Sequence, residues 1–205
     1  MSDFSGLASA RILRRAAPRQ VVLVHGLFSN GGFWLPWLER FPDLQLTIPG
    51  IDYAAMFDAG AGLEALGAEL DRIVGDKPAH LVAHSFGCWA ALFARRPFLS
   101  RSFVCPTFAA EHIDVAAFGA EIVRRTGADA DAVALRVRQA MDIKRTHAGA
   151  AARGQPADRV FLAHDDPYFR YAPAQARGAV HACGGGHFEI GEAMAAIASA
   201  IAAVA

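Results

Sequence analysis

Hydrophobic residues along this chain follow two patterns. Short, continuous apolar runs bounded by Gly, Pro or charged residues predict buried strands, because a strand covered on both faces has no polar side. Longer stretches with apolar residues three or four positions apart predict amphipathic helices. The predicted strands are 20–25, 44–48, 79–83, 102–105, 159–163 and 178–182, with a short edge strand near 10–13. The predicted helices are 33–41, 61–74, 86–96 and 189–204, and a long helical tract fills 107–157.

Strands that alternate with helices predict a mostly parallel sheet with helices on both faces. The 205 residues suit one core, and no repeat or linker divides them, so we predict a single domain, 1–205. Pro49 and Gly50 are predicted to end the strand at 44–48. The tract at 107–157 is longer than a crossover requires. Two interpretations remain open: a cap over an active site, or two helices that simply pack on the sheet. Its end, 147–156, is rich in Ala and Gly and predicts a mobile loop.

Composition narrows the classes of partner. The chain is 54% hydrophobic, and its 20 basic and 20 acidic residues cancel, so we expect no nucleic-acid partner. Residues 1–10 lack the basic and apolar segments of a secretory signal, and the apolar run 193–205 is too short to span a membrane. The three cysteines, Cys88, Cys105 and Cys183, have no Cys-x-x-Cys spacing. They predict buried free thiols in a reducing compartment, and we expect a cytoplasmic protein.

One stretch combines a strand end with a candidate nucleophile. The apolar strand at 79–83 leads to Ser85, which has Ala83 two positions before it and Gly87 two positions after it, and a helical pattern follows at once. Small residues at these two positions allow a tight turn that exposes a serine hydroxyl above a helix N-terminus. Taken alone, the pentapeptide also fits an ordinary strand-to-helix loop.

A nucleophilic serine needs a base, and the base needs an orienting carboxylate. His187 follows the flexible run Gly184–Gly186 at the end of a predicted strand and precedes the last predicted helix. Asp166 follows the strand at 159–163 and precedes a proline. Asp165 is the alternative acid, because one residue of register exchanges the two, and a solvated Asp-Pro turn is a third interpretation.

Four segments together resemble the α/β-hydrolase superfamily, and they cover the chain from about 20 to 205. They are His25-Gly26-Leu27-Phe28, Ala83-His84-Ser85-Phe86-Gly87, Asp165-Asp166-Pro167 and Gly186-His187-Phe188. The resemblance implies an α/β-hydrolase fold with a reduced, mostly parallel sheet of about six strands flanked by helices, and a helical cap at 107–157. It also implies a Ser85–His187–Asp166 triad, with the backbone NH groups of Leu27 and Phe86 as oxyanion donors. Ala83 departs from the usual glycine of the Gly-x-Ser-x-Gly motif, and Thr47–Asp52 departs from the usual Asp-x-Pro-Gly-x-Gly.

A serine nucleophile argues against dehalogenase and epoxide hydrolase chemistry, which use a carboxylate. We therefore expect a hydrolase that acts on a small-molecule ester or thioester, without cofactor or metal. The aromatic residues Phe28, Trp34 and Tyr168 flank the catalytic loops and suggest an apolar acyl or aryl group. An acyltransferase, a carbon–carbon bond hydrolase and a non-catalytic ligand-binding protein remain alternatives.

A metal site is the other chemistry that the sequence raises. It would draw on His164, Asp165, Asp166, His181 and His187. These residues lack the tight spacing of a ligand motif, so we expect none there. The sequence does not indicate the oligomeric state.

Overall fold

The polypeptide forms a twisted sheet covered on both faces by helices. A computed structural model describes residues 8–203; residues 1–7 of the N-terminal stretch and the last residues of the C-terminal apolar run lie outside the described part. The strands are β1 (Ala8–Leu13), β2 (Gln20–Val24), β3 (Gln45–Ile51), β4 (Ala79–His84), β5 (Ser100–Val104), β6 (Ala110–Ile113), β7 (Arg159–Ala163), β8 (Phe169–Tyr171) and β9 (Ala179–Cys183). The helices are α1 (Tyr53–Asp58), α2 (Leu63–Val74), α3 (Gly87–Phe93), α4 (Val115–Thr126), α5 (Ala130–Thr146) and α6 (Gly191–Ala202). Four 3-10 segments lie at Gly31–Arg40, Thr107–Ala109, Ala148–Arg153 and Pro173–Gln175.

The main sheet has seven strands in the order β1-β3-β2-β4-β5-β7-β9. Every neighbouring pair is parallel except β1 with β3, which confirms the predicted mostly parallel sheet and its edge strand. A separate antiparallel pair, β6 with β8, was not predicted. Its two strands are three and four residues long, too short to show a clear alternation in the sequence.

Side chains of the central strands point alternately to two apolar layers. In β2, Val22 and Val24 face the layer of α2 and α3, and Val21 and Leu23 face the layer of α6. Both layers are buried, which explains why this strand is apolar from Val21 to Val24. A third apolar cluster joins α4 and α5 to the β6–β8 pair.

Three local predictions were wrong. Strand β3 does not end before Pro49 but continues to Ile51. Its pairing with β2 ends at Thr47, so the NH group that Pro49 lacks is not needed for a hydrogen bond to β2. The helix after Ser85 ends at Phe93 rather than 96, since the Asp71 carboxylate accepts the backbone NH groups of Arg95 and Arg96.

The third error concerns the tract at 107–157, which is not wholly helical. It contains β6, and the Ala- and Gly-rich stretch predicted as a loop contains the 3-10 turn at 148–153. Segment α1, at 53–58, was also missed; its six residues are too few for a helical period.

This topology determines where functional groups meet. The loops that follow β2, β4, β7 and β9 all leave the same edge of the sheet, because these strands are parallel. In sheets of this kind ligands bind outside the carboxyl ends of the strands. Among residues 8–203, no helix is both long enough and apolar enough to cross a membrane.

Candidate active site

Ser85 occupies a strained turn between β4 and α3. Its φ angle is +53°, in the left-handed region that non-glycine residues rarely adopt. A Cβ on Gly87 would lie 2.3 Å from the His25 carbonyl oxygen, and a Cβ on Gly26 would lie 2.8 Å from the Ser85 Cβ. Two neighbouring backbones therefore approach this turn so closely that only glycine fits. Strain of this kind costs on the order of 1–3 kcal/mol and is often found at functional sites.

Three side chains from separate loops form one chain of hydrogen bonds at the sheet edge. The Oγ atom of Ser85 lies 2.8 Å from Nε2 of His187. The Nδ1 atom of the same ring lies 2.9 Å from Oδ2 of Asp166. A carboxylate accepts only, so Nδ1 carries the proton and Nε2 is left free to accept from the serine hydroxyl.

The Asp166 carboxylate is buried and surrounded by donors. Its Oδ1 accepts the backbone NH groups of Tyr168, at 2.9 Å, and Phe169, at 3.0 Å. Its Oδ2 accepts the Tyr171 hydroxyl at 2.8 Å, besides the His187 ring. Burial raises the pKa of Tyr171 well above its ordinary value, so this hydroxyl stays protonated and continues to donate. Four donors hold one orientation of the carboxylate.

Asp165 points the other way. Its side chain is 65% exposed and lies 3.1 Å from the ring of His164, itself 60% exposed. The structure therefore brings Asp166, and not Asp165, to His187. The Asp166 side chain is fully buried, so the interpretation of an Asp-Pro turn with both carboxylates solvated is wrong.

The His187 ring is held by packing as well as by hydrogen bonds. Phe169 stacks on it with ring centroids 4.2 Å apart, and Phe118 of α4 meets it edge-on at 5.6 Å. The His187 backbone carbonyl accepts a hydrogen bond from Nε2 of His84 at 2.8 Å. Burial lowers the pKa of His84 to about 3, so this ring is neutral near neutral pH and supports the loop without adding a charge.

Leu27, in the loop after β2, and Phe86, which directly follows Ser85, are the two predicted oxyanion donors. Leu27 and Phe86 both lie beside Ser85 on one cavity wall. Within the described chain, neither of their NH groups donates to a backbone carbonyl. The loop is braced by His25, whose Nδ1 lies 2.9 Å from the Gly26 carbonyl oxygen and whose Nε2 accepts the Ile51 NH at 3.1 Å. Burial lowers the pKa of His25, which agrees with a neutral ring that can accept at Nε2.

A cavity with about 390 Å³ of empty space, its mouth included, opens beside Ser85. Helix α5 supplies one wall with four residues on a single helical face, and the other walls come from the strand-end loops, β6, β8 and α4. The lining residues are Leu27, Ser85, Phe86, Thr107, Ile113, Phe118, Val137, Ala140, Met141, Lys144 and Phe169. The tract predicted as a cap therefore contributes seven of the eleven lining residues.

The three aromatic residues predicted to contact substrate do not line this cavity. Phe28 and Tyr168 pack on Phe118, with ring centroids 6.5 Å and 5.9 Å away, so each lies one side chain from the cavity. Trp34 is fully buried in the apolar layer of α6, which corrects its predicted role. Trp34 was predicted to contact substrate because it lies close to a catalytic loop in the sequence. That closeness does not determine into which apolar layer the ring packs.

The cysteines and one histidine group bear on metal binding. All three cysteines are free and buried, as predicted. Potential ligand atoms of His84, Cys105 and His187 lie within 4.8 Å of one another. Both ring nitrogens of His187 already have partners, and burial raises the pKa of the Cys105 thiol to about 12. A protonated thiol and a committed imidazole suit this group to hydrogen bonding rather than to ligation.

Several contributors to the site carried no recognisable signal in the sequence. Tyr171, Phe169 and Phe118 lie in segments with no family motif, and Lys144 lies in the last turn of an ordinary charged helix. His84 had one available clue, since it directly precedes the candidate nucleophile.

Comparisons with known proteins found similar solved structures of low sequence identity. Neither the protein-family models nor the curated proteins gave a match. Among solved structures, an alpha/beta hydrolase fold protein from Burkholderia ambifaria is 20% identical at a TM-score of 0.59, covering 95% of this chain and 93% of that chain. A lipase-esterase related protein from Clostridium acetobutylicum is 11% identical at a TM-score of 0.63, covering 97% and 99%. The thioesterase domain from the curacin biosynthetic pathway is 15% identical at a TM-score of 0.60, covering 95% and 94%.

Proposed function

We propose that this chain, which has the α/β-hydrolase fold, is a serine hydrolase that cleaves a carboxylic ester or thioester through an acyl-enzyme. The observation that carries the proposal is the continuous hydrogen-bonded series from Ser85 through His187 to Asp166, with separations of 2.8 Å and 2.9 Å. The names of the similar structures, which include a thioesterase domain and a lipase-esterase related protein, agree with this class of reaction.

The first half of the reaction is nucleophilic attack. His187 Nε2 takes the proton of the Ser85 hydroxyl while Oγ attacks the substrate carbonyl carbon. Asp166 holds the imidazole in the tautomer that accepts at Nε2 and stabilises the imidazolium that forms. His187 then returns the proton to the departing alcohol or thiol, which leaves an acyl group on Ser85.

The second half is hydrolysis of that acyl group. His187 removes a proton from a water molecule as its oxygen attacks the acyl carbon, and the proton then returns to Ser85. In both halves the developing oxyanion is stabilised by the backbone NH groups of Leu27 and Phe86. Removing one oxyanion donor typically costs about 3–4 kcal/mol of transition-state stabilisation. The apolar cavity beside Ser85 accommodates the acyl group.

The proposal is tested by hydrolysis of a series of p-nitrophenyl acyl esters, from short to long chains. Ser85→Ala and His187→Ala should each lose at least about 10,000-fold in kcat. The matched controls are Ser199→Ala and His164→Ala, which change exposed residues away from the cavity and should keep the wild-type rate.

A fluorophosphonate probe gives a second readout that does not depend on the choice of ester. It should label the wild-type protein at Ser85 and leave Ser85→Ala unlabelled. A folded protein that neither reacts with the probe nor cleaves any ester would refute the proposal and favour a non-catalytic ligand-binding role.

A further inference from the structure

The cavity beside Ser85 is lined mainly by apolar side chains. Among its lining residues within 8–203, Lys144 alone carries a charge. No ion pair or hydrogen bond of this amine occurs in the described chain. Burial lowers the pKa of Lys144, and no neighbouring charge contributes to the shift. An ammonium group that is partly desolvated and has no partner favours an anionic ligand.

Lys144 lines the cavity from the last turn of α5. Val137, Ala140, Met141 and Lys144 follow the spacing of one helical face, and all four line the cavity. Val137 packs in the cluster of Phe118 and Phe169, two of the rings that contact His187. Lys144 is seven residues further along α5, which is about 10 Å along the helix axis.

Thr107 is a second polar residue of the lining that can donate a hydrogen bond. The Thr107 Oγ1 atom accepts a hydrogen bond from the Trp89 indole NH at 2.9 Å, which leaves the threonine proton available. Apart from Ser85, the lining side chains thus present donors and no carboxylate. A ligand group that accepts hydrogen bonds and carries negative charge complements this arrangement.

We propose that Lys144 binds a carboxylate at the far end of the acyl group, so that the preferred substrates are esters or thioesters of dicarboxylic acids. This inference rests on the proposed hydrolase function and narrows its substrate class. The acyl group would lie along α5, with its carbonyl carbon at Ser85 and its free carboxylate at the Lys144 amine. The apolar residues that line the cavity together with Ser85 and Lys144 suit the methylene chain of such an acyl group.

The test compares two ester series with equal chain lengths. One series consists of p-nitrophenyl monoesters of succinate, adipate and suberate, and the other consists of p-nitrophenyl butyrate, hexanoate and octanoate. For each protein the measured quantity is the ratio of kcat/KM for the carboxylate-ended ester to that for its methyl-ended partner. The ratio cancels any general loss of activity in a variant.

In the wild-type protein the ratio should exceed one and should be largest for the acyl chain that spans the distance to Lys144. Lys144→Met should lower it roughly 10- to 150-fold, the usual range for losing a charge-assisted hydrogen bond, and mainly through KM. Lys144→Arg should restore most of the preference. Arg138→Met removes the same charge from an exposed position of the same helix and should leave the ratio unchanged.

Two results would overturn the proposal while leaving the hydrolase function in place. One is a wild-type ratio below one at every length together with no change in Lys144→Met. The other comes from comparing butyryl-coenzyme A with the butyryl thioester of N-acetylcysteamine, which lacks the phosphates. If Lys144→Met weakened only the coenzyme A reaction, the anion that Lys144 binds would belong to the leaving group.

A binding measurement keeps the proposal testable even if no ester is cleaved. Calorimetry with suberate and with octanoate on Ser85→Ala should show tighter binding of suberate, and this difference should vanish in Ser85→Ala/Lys144→Met. Equal affinity for the two acids would overturn the role of Lys144, whatever the outcome of the hydrolysis assays.

Discussion

Asp166→Asn should inactivate the proposed triad without disturbing the fold. The Asp166 carboxylate is the acceptor in all four of its hydrogen bonds. Oδ1 accepts the Tyr168 and Phe169 NH groups, and Oδ2 accepts the Tyr171 hydroxyl and the His187 ring NH. Asparagine has one oxygen and one NH2 group. The oxygen satisfies the two backbone NH groups best, which turns the NH2 group towards His187.

An NH2 group facing Nδ1 forces that nitrogen to accept, so the proton moves to Nε2 of His187. The ring then presents a donor to Ser85 and can no longer remove its proton. In serine proteases the equivalent carboxylate-to-amide change lowers kcat about 10,000-fold through the wrong tautomer, or about 5.5 kcal/mol. We expect a loss of this size here, because the donors around Asp166 leave no alternative orientation.

The assay is kcat on p-nitrophenyl butyrate, with circular dichroism and a urea melt to confirm the fold. Asp165→Asn is the matched control, since that carboxylate is 65% exposed and contacts only His164 among the described side chains. It should stay within about twofold of the wild type. A folded Asp166→Asn protein that keeps more than a tenth of wild-type kcat would refute the tautomer argument.

Three further predictions concern stability. Gly87→Ala should destabilise the protein by roughly 3 kcal/mol in urea unfolding, because the new Cβ would lie 2.3 Å from a backbone carbonyl oxygen. Arg101→Met should cost about 3–5 kcal/mol in the same assay, since it leaves the Asp158 carboxylate buried without its bidentate partner at 2.6 and 2.8 Å. His84→Gln should reduce the loss of unfolding free energy between pH 6.5 and 4.5 by about 2 kcal/mol.

The sign of the last prediction follows from the pKa of His84. The folded ring has a pKa of about 3, below the 6.5 of an unfolded histidine. Between these values the unfolded chain binds the extra proton, so this histidine lowers stability as the pH falls from 6.5 towards 3 and has no effect above 6.5. An unchanged pH slope in His84→Gln would contradict the burial of a neutral ring.

The other two predictions have matched controls. Gly119→Ala adds a methyl group in α4, where the nearest side-chain atom is 4.0 Å away, and should be neutral or slightly stabilising. A Gly87→Ala protein as stable as Gly119→Ala would show that the turn has room for a side chain. Arg124→Met removes an exposed ion pair and should cost less than about 1 kcal/mol. An Arg101→Met protein that loses no more than Arg124→Met would show that Asp158 does not depend on its partner.

The local patterns of the sequence were sufficient to predict the sheet. Strands such as 20–24 and 79–84 are buried on both faces, so their apolar character shows in consecutive residues. Ser85 and Gly87, in the turn between β4 and α3, were recognisable too, because a tight turn admits few residue types. The mostly parallel pairing followed from strands alternating with helices, whereas the order of the strands in the sheet came only from the structure.

Side chains that meet across distant segments were decided only by the tertiary structure. Adjacent carboxylates at 165 and 166 have the same chemistry, and only the course of the chain after β7 turns one of them towards His187. Tyr171, Phe118 and Lys144 reach the site from three separate elements, and Trp34 turns into the core instead. Periodicity reports which face of an element is buried and not which partner buries it. The motif residues, with Asp166 as the preferred acid, could therefore be predicted from the sequence, whereas the cavity wall and its single charge could not.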